Sequence, residues 1–163
     1  MQADGVIGGY AIGGAVGATF YLEPVATLDI DIFVSFRNVS EGGLISLSPI
    51  WEYLTGRGYK TEGEYIVIEG WPVQFLPLGN TLAEEALAQA IETDLDGVPT
   101  RVMTAEHLTA IALETGRGKD HVRILQFIES GALEPDKLDG ILKRHGLVEK
   151  WEQFGDKFLK GNS

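Results

Sequence analysis

Hydrophobic periodicity changes once along the chain, near residue 103, and that change limits the fold more than any other feature. Before it, short apolar runs stand between glycines and prolines, the pattern of strands joined by turns. After it, apolar residues recur at three- and four-residue spacing, the pattern of amphipathic helices. The 163 residues therefore read as an α+β protein. A mixed β-sheet core flanked by helices is expected over 1–103, and a C-terminal helical extension packed on that core over 104–163.

Within the first part, Gly5 to Ile12 reads as a small-residue strand that breaks at Gly13-Gly14, and Ala15 to Tyr21 as a short helix. Leu28 to Val34 alternates, with Ile30, Ile32 and Val34 on one face. Pro49 to Thr55 fits a helix ended by Gly56 or Gly58. Tyr65–Glu69 and Pro72–Leu76 flank Gly70-Trp71 as a hairpin. Leu82 to Ile91 is rich in helix formers, and a strand near Pro99 to Met103 closes the sheet. In the second part Thr104 is the expected N-cap of Ala105–Thr115, and Gly131 the C-cap of Lys119–Ser130. Helices over Asp136–His145, started by Pro135, and over Leu147–Leu159 complete it.

Charge follows the same division. Residues 1–100 carry 14 acidic side chains against Arg37, Arg57 and Lys60, whereas residues 101–163 carry 10 of each sign. An acidic first part repels a nucleic-acid backbone, so a polyphosphate reaching it needs a divalent metal or cations from the second part. No apolar run has the length of about 20 residues that a membrane span requires. The absence of cysteine excludes disulfides and thiolate metal sites and is compatible with a cytoplasmic location.

Two features of the first part belong together: Gly13-Gly14 after the first strand, and Asp29-x-Asp31 on the next. Residues two apart on a strand share a face, so both carboxylates project side by side. Such a pair repels itself unless a cation lies between, and oxygen-only ligation favours Mg²⁺ or Mn²⁺. Adjacent glycines at a helix start leave backbone N–H groups accessible to phosphate oxygens. A lone D-x-D is more often a solvated strand face and a lone Gly-Gly more often a turn. Their conjunction in the order strand, Gly-Gly, helix, strand is what points to a site.

Ile12-Gly13-Gly14-Ala15, followed by Ala26-Thr27-Leu28-Asp29-Ile30-Asp31-Ile32-Phe33, resembles the signature of polymerase-beta-like nucleotidyltransferases. The resemblance is closest to the minimal branch of abortive-infection and toxin–antitoxin nucleotidyltransferases. Thr104-Ala105-Glu106-His107-Leu108 and then Thr115-Gly116-Arg117-Gly118-Lys119-Asp120 resemble that branch's helical stretch and its Arg-x-Lys-Asp motif. It implies transfer of a nucleoside monophosphate from an NTP to an RNA, protein or small-molecule acceptor. Gly13, Gly14 and Thr27 would contact the nucleotide, and Asp29 and Asp31 would hold Mg²⁺ (or Mn²⁺). Lys119 and Arg117 would offset phosphate charge, with Asp120 orienting Lys119 or touching the metal region. An antitoxin or a second copy of the chain would be the protein partner. The branch has a helix before the first strand where this chain has only Met1–Asp4, which would leave core surface open to dimerisation.

The resemblance also implies a third carboxylate on a later strand, and at the matching place stands Gln74. A neutral amide cannot deprotonate a hydroxyl. Glu69, on the neighbouring strand, is the candidate substitute, and Val25 occupies a place where the branch carries arginine. Two readings therefore stand: a metal-dependent transferase, and a catalytically silent module that binds nucleotide or a protein partner. Zinc is disfavoured because His107, His121 and His145 have no ligand spacing. A dinucleotide fold is disfavoured because strict G-x-G-x-x-G is missing.

Overall fold

In the computed structural model, which describes residues 1–22, 30–36, 46–95 and 97–160, the chain divides into two compact units, Met1–Met103 and Thr104–Ser163. The first unit runs β1 (Gly9–Ile12), α1 (Gly14–Ala18), β2 (Ile30–Ser35), α2 (Ser48–Thr55), β3 (Lys60–Glu62), β4 (Tyr65–Ile68), β5 (Trp71–Pro77), α3 (Thr81–Ala88), β6 (Ile91–Leu95) and β7 (Val98–Val102). The second is wholly helical: α4 (Ala105–Thr115), α5 (Gly118–Ser130), α6 (Pro135–Arg144) and α7 (Val148–Phe158). The α+β class expected from periodicity is the observed one. Among the described residues no helix is long and apolar enough to cross a membrane.

The sheet has the order β3-β4-β5-β2-β1-β7-β6 and is mixed. β2 lies at its centre, antiparallel to β1 and parallel to β5. Its alternation decides which side chains face which layer. Val34 joins a core cluster with Ile50 and Leu54 of α2 and Val73 and Phe75 of β5, and Ile30 and Ile32 pack against it. Each such side chain, fully buried, contributes about 1.5–3 kcal/mol. Asp31, Phe33 and Ser35 therefore face the opposite side, the side on which Leu87 of α3 approaches Gly9. Before β1, Tyr53 donates to the Asp4 carboxylate and so ties the first residues to α2.

Several boundaries differ from the sequence expectation, each for a local reason. The first strand begins at Gly9 rather than Gly5, because Gly5 adopts φ +72° in a turn where its N–H donates to Gln2. The β4–β5 hairpin turns on Glu69-Gly70 rather than Gly70-Trp71. Both turn residues have positive φ, +50° and +84°, as a two-residue type I′ turn requires. The helix expected over Leu82–Ile91 ends at Ala88, and Ile91 opens β6. That strand was legible: Ile91, Thr93 and Leu95 alternate with polar residues before Asp96-Gly97, a hairpin signal outweighed by the neighbouring helix formers. β3, three exposed residues, was not anticipated.

Caps define the second unit. Thr104 has extended backbone and its Oγ1 accepts from the His107 N–H, so it caps α4. Gly116 and Gly131, both at φ +71°, end α4 and α5 in the left-handed conformation that glycine adopts without cost.

Candidate functional site

The first strand runs directly into the Gly-Gly pair, and the glycines are needed for packing. The Gly13 N–H donates to the Asp31 carbonyl at 3.0 Å, so it is not available to a phosphate, contrary to the simplest expectation from sequence. A Cβ on Gly13 would stand 2.7 Å from Cε2 of Phe33. Gly14 has φ +58°, and a Cβ there would fall inside van der Waals contact of Asp31 Oδ2, with Cγ at 3.0 Å. The Asp31 carboxylate thus lies directly over Gly14, the first residue of α1, where nothing larger than hydrogen fits. The strand–Gly-Gly–helix–strand order brings together Gly13, Gly14 and Asp31. Thr27 and Asp29 lie outside the described residues.

The β2–β5 register pairs Asp31 with Gln74. Partners on adjacent strands share a face and stand about 4.8 Å apart, so the amide is the carboxylate's immediate neighbour. Glu69 is not. It lies in the hairpin turn, before Trp71, and the strand from Trp71 to Gln74 alone covers about 10 Å. Glu69 is solvent-exposed there and does not stand in for the third carboxylate. Among the described residues the oxygen donors here are the Asp31 carboxylate and the Gln74 amide. Both are hard oxygen ligands of the kind that Mg²⁺ or Mn²⁺ takes. Among the described residues no three His, Asp or Glu cluster as metal ligands.

Arg117, Lys119 and Asp120 belong to the second unit. Asp120, 1% exposed, accepts from the Arg117 backbone N–H at 3.1 Å, from its Nε at 2.7 Å and from its Nη2 at 3.2 Å. Arg123 Nη1 stands 3.7 Å away on the other side. The carboxylate at the third helical position thereby satisfies the N–H of Arg117, the residue that caps α5, and it orients Arg117, not Lys119. Lys119 is exposed on the first turn, with no ion pair among the described residues. Burial pushes the Asp120 carboxyl up, but the hydrogen bonds from Arg117 and the charges of Arg117 and Arg123 outweigh it, and the net shift is downward from 3.8. A depressed carboxyl contributes stability that is complete above its unfolded pKa and lost as pH falls through the folded one. Asp120→Asn is therefore expected to cost about 2 kcal/mol near neutral pH, allowing for the half-exposed Arg117. The difference from the unaltered protein should shrink below about pH 3.8, read from urea unfolding at both pH values. A gap that persists undiminished in acid would show that packing, not charge, holds Asp120.

The Thr104–Leu108 stretch serves the interior of its own unit. His107 is fully buried with Nδ1 2.7 Å from Thr104 Oγ1, and Glu106, 4% exposed, has Lys137 at 3.9 Å. Sequence reasoning missed Phe33, whose ring forces glycine at 13, and the grouping of His121, Lys150 and Lys157 around one pocket. The signal for the lysines was their seven-residue spacing on α7, which places them on one side of the helix.

Fold and site together define an α+β protein whose sheet centre presents a carboxylate over a glycine at a helix start. Comparison of the sequence finds no matching family model and no matching curated protein.

Proposed function

We propose that the first unit is a nucleotidyltransferase-type site that binds a nucleoside triphosphate as its magnesium complex and transfers the nucleoside monophosphate to an RNA, protein or small-molecule acceptor. The observation that carries this is the Asp31 carboxylate seated over Gly14 at the strand–helix junction, on the central strand of a mixed sheet. Asp31, with Asp29 two residues earlier, holds Mg²⁺ or Mn²⁺. Such an ion, when bound, neutralises triphosphate charge and eases departure of pyrophosphate. The acceptor oxygen or nitrogen bonds to the α-phosphorus, the α–β bridge bond breaks, and the acceptor proton passes to a carboxylate or to water.

Calorimetric titration of each of the four NTPs, with Mg²⁺ and then with EDTA, tests the reading. Binding of at least one NTP that vanishes with EDTA is the expected result. No binding of any NTP in magnesium would overturn it.

The place of Gln74 supports a second reading, a nucleotide-binding module that does not transfer. An amide beside Asp31 cannot accept the acceptor's proton, and Glu69, in the turn before β5, is too far away to replace it. Gln74→Asp separates the two. Introducing a carboxylate at this position should raise pyrophosphate release about 10- to 100-fold if a weak transferase lacks only its base. A fall in release would show that the amide has a role of its own.

A further inference from the structure

We propose that the pocket between α4, α5 and α7 binds single-stranded nucleic acid, with a base against its aromatic wall and phosphate on its lysines. The pocket holds about 390 Å³, within the range of about 300–1,000 Å³ typical of ligand sites. Its aromatic wall is formed by the half-buried rings of His121 and Phe158, backed by the buried ring of Phe154. His121 lies 5.0 Å from Phe158 and 5.7 Å from Phe154, and the two phenylalanines are 4.9 Å apart. Lys150 and Lys157 stand on the rim.

Helical geometry explains why the cations gather there. At 100° per residue Lys150 and Lys157 fall on one side of α7 about 10 Å apart, bordering Phe154 and Phe158. The acids of α7 fall on the adjoining side, where Asp156 pairs with Lys160 at 2.6 Å and Glu149 meets Gln153 at 3.5 Å. Lys150 donates to the Glu114 carbonyl at 3.2 Å and so neutralises the negative end of α4, while its other two donors are left for a ligand. The Lys157 ammonium sits 5.2 Å over the Phe158 ring, with no acidic partner among the described residues. Glu114 brings the one carboxylate among the lining side chains, against two ammonium groups. Aromatic faces interleaved with lysines are the arrangement by which proteins hold single strands without reading sequence.

The site uses none of the residues assigned to the triphosphate, so it stands or falls separately from that reading. The test is fluorescence anisotropy of a labelled oligoadenylate about ten nucleotides long, with the whole protein in EDTA. Binding is expected to weaken with salt. Lys150→Gln with Lys157→Gln, which keeps both side-chain stems, should lower affinity at least about tenfold and flatten the salt slope by about 1.4, the share of two phosphates. Phe158→Leu keeps the packing but removes the ring, and should cost about 5- to 100-fold with the slope unchanged. Asp29→Asn with Asp31→Asn should bind as the unaltered protein does. No binding of the oligonucleotide, or equal binding by the lysine variant with its thermal midpoint preserved, would overturn the proposal. So would competition by AMP as effective as by the oligonucleotide, which would make this a free-nucleotide pocket.

Discussion

Asp29→Asn combined with Asp31→Asn is expected to abolish magnesium-dependent NTP binding, a loss of at least about 100-fold, or about 2.7 kcal/mol. Asparagine has nearly the shape of aspartate, so the packing over Gly14 is kept while both negative charges are removed. A divalent ion then faces neutral amides only, including Gln74 next door, and neutral oxygens cannot offset its dehydration as carboxylates do. The measurement is the same calorimetric titration, with thermal unfolding to show that the fold is retained. Unchanged binding by a folded double variant would remove the metal and the triphosphate from this end of the sheet altogether.

Gly14→Ala is expected to destabilise the first unit strongly. Two costs add. The residue sits at φ +58°, where an alanine is strained by about 1 kcal/mol, and the new methyl collides with the Asp31 carboxylate. Relief requires moving Asp31 out of its rotamer or α1 off the sheet, and overpacking of that kind costs about 1–3 kcal/mol more. A total near 3 kcal/mol corresponds to a fall in Tm of about 6–12 °C for a chain of this size. Gly118→Ala is the control, since a Cβ there meets nothing within 4 Å and its backbone is unstrained. It should be neutral or slightly stabilising. If Gly14→Ala melts with Gly118→Ala, the carboxylate is not held over that glycine.

What the sequence by itself determined are the features that neighbouring residues decide. The change of period at residue 103, the Thr104 cap, the glycine stop at Gly131 and the sorting of Ile30, Ile32 and Val34 to one face all rest on 2.0- and 3.6-residue repeats and on local hydrogen bonds. Even the β6–β7 hairpin was written locally, in Asp96-Gly97, although stronger helix formers beside it masked the signal. Only the tertiary structure decided that Gln74 stands beside Asp31, because strand order and register come from pairing across the chain and not from any repeat within it. It placed Glu69 in a turn, out of reach, on the strength of a hairpin register one residue from the expected one. It assigned Asp120 to Arg117 and Arg123, since a carboxylate at the third helical position folds back on its own cap. It also gathered Lys150, Lys157 and His121 around one pocket, from two helices whose packing no periodicity specifies. Repeats show which face a side chain takes, and only packing of one element on another decides what that face meets.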